Sequence, residues 1–200
     1  MHKIVAGGAA LGAAIVALGC APANEADDAG RDTAAIAADT SPSVERGRYL
    51  ATFGDCGICH TPKVFTDQGP MPDTTRLLSG HRADGRVPRV PANVLGPQGW
   101  GALAGTEFTA WAGPWGVSYA ANLTPDATGL GGWTADQFVQ AMRTGKHMGV
   151  GRQILPPMPW QTVGSLTDQD LRSIFAYLRT IPPVANTVPA PQPPRQTAAR

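Results

Sequence analysis

The sequence predicts an all-α fold of three or more helices joined by long loops. Three segments carry apolar residues at helical spacing, each bracketed by a capping residue and a stop signal. Outside them glycine, at 24, and proline, at 19 of 200 residues, recur too often for long regular elements. With both ends set aside as non-globular, roughly 140 residues remain, the usual size of one domain with one core.

The first helix is expected over 43–53, where Val44, Tyr49, Leu50 and Phe53 share a face and Gly54 ends the run. The second covers 134–144: Thr134 and Gln137 have the spacing of a capping box, Trp133 and Phe138 that of a hydrophobic staple, and Gly145 follows. The third covers 167–180, with Thr167 as cap, Leu166 and Leu171 as staple, and Leu171, Ile174, Phe175 and Leu178 on one face before Pro182. Between the first two, 64–121 shows no periodic run longer than a turn and reads as long loops with short helical turns. A loop of that length is unusual in a compact domain. It is expected to wrap whatever the domain encloses, with Trp100, Phe108, Trp111, Trp115 and Tyr119 supplying buried area.

The two ends have different compositions. Residues 1–20 begin with His2 and Lys3, run uncharged from Ile4 to Gly19 and finish at Cys20, the order of an export signal. Ala17-Leu18-Gly19-Cys20 resembles a lipoprotein cleavage box, in which the cysteine is lipidated and becomes the mature N-terminus. The alternative is an uncleaved anchor helix, since the uncharged stretch continues to Asn24 and approaches the ~20 residues of a membrane span. Either reading puts the folded part on the periplasmic side of a bacterial membrane, and Ala21, which is not acidic, leans towards the outer one. Residues 21–42 are poor in large apolar side chains and read as a flexible tether. Residues 184–200, with Pro189, Pro191, Pro193 and Pro194, read as a Pro-rich disordered tail, leaving 43–183 as the folded domain.

The formal net charge is only +1, so nothing in the charge balance points to nucleic acid. Four arginines, Arg76, Arg82, Arg86 and Arg89, face only Asp73 and Asp84 and form either a solvated loop face or a docking patch for an acidic partner.

Of three cysteines, Cys20 belongs to the export signal, and the other two stand in Cys56-Gly57-Ile58-Cys59-His60. This is the spacing of c-type haem attachment: two thiols add to the two vinyl groups on one porphyrin edge, and the following histidine reaches the iron. A thioredoxin-like dithiol or half of a zinc site also begins with Cys-x-x-Cys. No second cysteine pair completes a zinc site here, no alternation of strands and helices surrounds the motif, and the export signal matches the compartment where haem c is assembled.

The second axial ligand decides what such a haem does, because a thioether favours ferrous iron and raises the potential. Met71, Met142, Met148 and Met158 are candidates, with His81 and His147 as nitrogen alternatives. Met142 lies inside the second helix, where core packing suits it. Met158 stands in Leu155-Pro156-Pro157-Met158-Pro159-Trp160, a backbone stiffened by three prolines just before the last helix, and is the preferred choice.

Several stretches together resemble a class I monohaem cytochrome c over 43–183. They are Glu45-Arg46-Gly47-Arg48-Tyr49-Leu50-Ala51, Cys59-His60-Thr61-Pro62, Ala121-Asn122-Leu123-Thr124-Pro125-Asp126, Gly132-Trp133-Thr134, Arg143-Thr144-Gly145 and Pro157-Met158-Pro159-Trp160. They are most similar to haem domains in cytochrome subunits of membrane-associated bacterial dehydrogenases. The resemblance implies a cytochrome c fold around one covalent haem, with first and last helices crossing and Ile174 and Tyr177 at the contact. It also implies His60 and Met158 as axial ligands, and hydrogen bonds from Asn122 and Thr124 to a haem propionate, although an ordinary turn ahead of Pro125 explains those two equally well. Such subunits often carry several haem motifs, and this chain has one; its 64–121 segment is longer than a minimal cytochrome needs.

The expected function is therefore single-electron transfer without catalysis, with a dehydrogenase, an oxidase or another membrane electron-transfer complex as redox partner. The competing reading is an enzyme or small-ligand-binding haem protein with a displaceable sixth ligand, for which His81, His147 or Arg152 would supply distal polarity.

Overall fold

A computed structural model of the protein describes residues 41–194. The export signal, Cys20, nearly all of the tether and the last six residues of the tail lie outside the described residues.

The three expected helices are present, and their ends follow the capping chemistry in the sequence. Helix α1 spans Val44–Phe53, with the Ser43 side chain accepting from Arg46 N. Helix α2, Cys56–His60, is a single turn entered through Asp55 in the left-handed region. Helix α3 spans Ala135–Thr144, its capping box closed by Thr134 N donating to Gln137 Oε1 at 2.9 Å and Gln137 N donating to Thr134 Oγ1 at 3.2 Å. It stops at Gly145, which has φ 66°, a conformation that favours glycine. A short helix α4, Trp160–Val163, precedes α5, Asp168–Leu178, capped by Thr167. Among the described residues no helix is long and apolar enough to cross a membrane.

Helices outweigh strands, but the fold is not purely all-α. The stretch expected as loops with helical turns contains two small antiparallel sheets. Strands β1, Lys63–Thr66, and β2, Gly69–Pro72, form a hairpin; β3, Leu103–Ala104, β4, Ala110–Gly113, and β5, Gly116–Tyr119, form a three-stranded sheet in that order. The physical reason for the difference is the turns. Two residues separate β1 from β2 and β4 from β5, and each turn leads into a glycine with positive φ, Gly69 and Gly116. Strands of at most four residues are too short to display a recognisable alternation. Of the five aromatic residues expected to supply buried area, Trp100 and Phe108 are exposed and Trp111, Trp115 and Tyr119 are half-buried, while the fully buried positions are small ones such as Thr109, Ala110, Ala112 and Ser118.

The core gathers one face of α3, through Phe138, Val139, Ala141 and Met142, against Leu171, Ile174, Phe175 and Leu178 of α5, with Leu78, Leu130 and Ile181 completing it. Helix α1 packs most extensively against α5, but of the four residues that its apolar spacing picked out only Leu50 packs on the core. Tyr49 and Phe53 stack on each other at the surface, while Gly47 and Ala51 are buried. A methyl placed on Gly47 would stand 1.8 Å from the Ser173 carbonyl oxygen and 2.9 Å from Tyr177 Cβ, so the crossing requires glycine at that point. Ser43 N donates to Ser173 Oγ at 3.0 Å and Arg46 pairs with Asp170 at 2.8 Å, fixing the first turn of α1 beside the crossing.

The Pro-rich segment departs from the disordered tail expected of it. From Val184 to Gln192 it is strapped across the body: Val184 N donates to Thr124 Oγ1, Asn186 N to Thr128 Oγ1, and Gln192 pairs with Val117 through backbone hydrogen bonds of 2.8 and 2.9 Å. Its non-proline residues supply the donors, and the extended backbone leaves carbonyls free for the body to bind. Gly116 makes room for it, since a methyl there would stand 2.0 Å from the Gln192 carbonyl oxygen.

Replacing Gly47 by alanine forces α1 away from α5. Urea unfolding of Gly47→Ala is expected to show a loss of about 1–3 kcal/mol, read as a lower midpoint with an unchanged slope. A midpoint equal to that of the parent would mean that the crossing does not depend on Gly47.

Candidate functional site

The turn α2 brings Cys56 and Cys59 to one side of a single helical turn, because residues three apart share a face. Both are unbridged and partly buried, and Cys56 packs against the apolar core. Burial pushes both thiols above the ordinary cysteine value, the opposite of the acidified thiol of a dithiol oxidoreductase. Nor do the three residues form a zinc-type cluster: among the described residues no group of three His, Cys, Asp or Glu side chains converges. At the end of the turn the Lys63 ammonium, itself buried, donates to the carbonyls of Ile58 at 2.8 Å and Thr61 at 2.5 Å, satisfying acceptors that a helix end leaves open.

His60 is buried, and its Nδ1 lies 2.8 Å from the Ala121 carbonyl oxygen. A carbonyl only accepts, so Nδ1 carries the proton and Nε2 keeps a free lone pair. Nε2 has no hydrogen-bond partner among the described residues. Burial lowers the imidazole's proton affinity, and the neutral ring is the form that binds metal.

The wall behind His60 consists of two segments, 78–81 and 120–124. Gly80 N donates to His60 O at 2.7 Å, His81 N to Ala120 O at 2.9 Å and Leu123 N to Leu78 O at 2.9 Å. Leu78 N donates to Thr61 Oγ1 at 3.0 Å, joining this wall to the end of α2. Gly80, with φ 78°, sits so close that a methyl would stand 2.5 Å from Ala120 O and 2.6 Å from Ala121 O. Sequence reasoning missed this wall, because its acceptor is a backbone oxygen and carries no residue signature.

Met158 is partly buried and packs against the same core as Cys56. Its loop is held at both ends: Ser118 Oγ of β5 donates to Pro156 O at 2.5 Å, and the Trp160 ring lies over Gly145, where a methyl would come within 2.4 Å of it. The alternatives are placed otherwise. Met71 is exposed on β2, Met142 is in the core, and His147 is exposed with its ring edge-on to Trp133. His81 is buried, but behind the turn, with Nδ1 2.8 Å from Thr109 Oγ1 and its ring against Tyr119. Met148 is half-buried in a short 3-10 turn with φ 53°.

The amide of Asn122 is engaged within the protein. Its Nδ2 donates to Thr128 Oγ1 and to the carbonyls of Val184 and Asn186, and its Oδ1 accepts from Thr124 N at 3.0 Å and Thr124 Oγ1 at 2.8 Å. Asn122 is buried with both amide hydrogens used, and the two residues bond both within their own turn and to the strap at Val184 and Asn186. Of the four arginines, Arg82 pairs with Asp84 at 3.2 Å, and Arg76 and Arg82 line an open cavity of about 400 Å³ beside Asn186. Arg86 and Arg89 are exposed.

Two thiols on one face of a turn, followed by a neutral imidazole whose Nδ1 is fixed and whose Nε2 is free, make a donor set that fits haem c. The chain is similar to cytochrome c subunits of bacterial dehydrogenases. It is 33% identical over 156 residues to the fructose dehydrogenase cytochrome subunit of Gluconobacter japonicus, covering 78% of this chain and 24% of that one. It is 28% identical over 185 residues to the cytochrome c subunit of the quinone alcohol dehydrogenase of Gluconobacter oxydans, covering 92% and 28%. It is 30% identical over 144 residues to the gluconate 2-dehydrogenase cytochrome c subunit of Pantoea cypripedii, covering 71% and 24%. The matched region thus spans about a quarter of the length of these relatives. No protein-family model matches the chain.

Burial also lowers the proton affinity of His81, which gives stability a pH dependence. Above about pH 6.5 the residue is neutral whether folded or unfolded; below it the unfolded chain takes up a proton that the folded protein resists, so stability falls as pH drops. The urea midpoint is expected to fall between about pH 7.5 and about pH 5.5, and to fall less in His81→Gln. An undiminished fall in the variant would show that other groups carry the dependence.

Proposed function

We propose that the protein is a single-electron carrier, holding one haem c through Cys56 and Cys59, with His60 and Met158 as its axial ligands. The observation that carries this reading is His60: directly after the paired thiols, its Nδ1 is committed to Ala121 O and its Nε2 is left free. Haem c, when bound, supplies an iron that gains and loses one electron.

The chain's own contribution is positioning and exclusion of water. Hydrogen bonding of Nδ1–H to a carbonyl fixes the ring and raises the basicity of Nε2. The apolar core beside Cys56 and Met158 keeps the surroundings of low polarity, and Trp160 over Gly145 holds the end of the methionine loop. The Met158 thioether, held by its proline loop, would serve as a soft ligand to such an iron, which suits electron transfer and would oppose binding of peroxide or gases.

The relatives' names support a dehydrogenase as the redox partner, and exposed Arg86 and Arg89 offer it a basic face. The protein acts on the periplasmic side of a membrane, held there by lipid on Cys20, in keeping with the uncharged segment that ends at that residue.

Spectra of the holoprotein and of Met158→Ala test the ligand set. The parent is expected to be low-spin and six-coordinate with a sulfur-to-iron charge-transfer band, and the variant to lose that band and bind carbon monoxide. A high-spin parent that already binds carbon monoxide would instead support the haem enzyme or ligand-binding reading. Fractionation tests the tether: Cys20→Ser should move the protein from the membrane to the soluble fraction, whereas unchanged membrane association would exclude lipidation at Cys20 as the anchor.

A further inference from the structure

We infer that Asn186, on the C-terminal strap, is a positioning residue for the axial imidazole of His60, an inference that rests on the ligand reading above. Asn186 lies 126 positions beyond His60 in the chain and is buried. Its Nδ2 donates to two carbonyls, Ser79 O at 2.7 Å and His81 O at 2.8 Å, and its Oδ1 accepts from Ala83 N at 3.0 Å. The two carbonyls flank Gly80, so one amide grips the chain on both sides of that residue.

Gly80 is the point of contact with the histidine. Its N–H donates to His60 O, and its α-carbon lies against the Ala120 and Ala121 carbonyls, leaving no room for a methyl. Ala121 O is the acceptor for His60 Nδ1. Pressure from Asn186 on 79–81 therefore reaches the oxygen that aims the ring. The opposite side of that oxygen is tied to the same strap, because Asn122, the next residue, donates to Val184 O at 2.9 Å and Asn186 O at 3.4 Å. The strap and the two wall segments form one hydrogen-bonded unit, in which Asn186 reaches 79–83 through its side chain and Asn122 through its backbone carbonyl.

The consequence is chemical as well as mechanical. A firm Nδ1–H···O=C bond makes the imidazole a better electron donor and favours ferric iron. Removal of the clamp lets Ala121 O drift, weakens that bond and shifts the redox equilibrium towards the reduced form. A residue that served stability alone would lower the unfolding midpoint and leave both the potential and the Nδ1 proton unchanged.

The test uses folded holoprotein and two readouts, solvent exchange of the His60 Nδ1 proton by NMR in the reduced state and the reduction potential. In Asn186→Ala, exchange is expected to quicken about tenfold or more, and the oxidised-to-reduced equilibrium to shift about threefold towards reduced. Asn186→Ser, which keeps one donor, should move both readouts less in the same direction, and serves if the alanine variant does not fold. Gln192→Ala, which loosens only the far end of the strap at Tyr119, should move neither. Unchanged exchange and potential in both Asn186 variants would overturn the inference, as would an equal effect of Gln192→Ala. Failure of the ligand reading is separately visible: the His60 ring protons of the parent would then lack the large ring-current shift of a group bound over a porphyrin.

Discussion

A single hydrogen bond, from His60 Nδ1 to the Ala121 carbonyl, sets the requirements that the surrounding structure meets. It decides the tautomer, and with it which nitrogen is left to bind. It demands a carbonyl at a fixed place behind a helical turn, and the chain supplies one from a segment about sixty residues away in sequence. Backbone bonds from 78–81 to 120–124 hold that segment, and a glycine with positive φ allows the two to meet closely enough.

The rest of the domain stiffens this arrangement from outside. Helices α1 and α5 cross at Gly47, where only a glycine permits contact with the Ser173 backbone, and this fixes the first described helix against α5. The turn α2 follows α1 after two residues, so the crossing also locates Cys56, Cys59 and His60. On the far side the three-stranded sheet reaches the methionine loop through Ser118 and Pro156. The strap then runs from the end of α5 over both wall segments. Each connection is local and modest in energy, about 0.5–1.5 kcal/mol for a typical hydrogen bond. Their effect comes from sharing carbonyls and amides within one buried network.

How much was legible in the sequence depends on what each feature is made of. The three long helices were legible because capping boxes, staples and stops are side-chain signals at fixed offsets, as at Thr134, Gln137 and Gly145. The Cys56–His60 turn was legible because its motif is contiguous in sequence. The buried face of α1 was not, since Gly47 and Ala51 have no apolar bulk and the eye follows Tyr49 and Phe53 instead. The small sheets were hidden by strands of two to four residues. Ala121 as the histidine's partner had no signature at all, because any residue offers a carbonyl. Asn186 was concealed by its proline-rich surroundings, which read as a free tail until its hydrogen bonds are traced.

The central claim is that Cys56 and Cys59 carry a covalent haem rather than serving as thiols. Protein produced with its export signal in a host that assembles haem c, then digested and analysed by mass, tests this most directly. The peptide containing Cys56–His60 is expected to bear one haem, with neither cysteine open to alkylation. A haem-free peptide with two alkylated cysteines would contradict it.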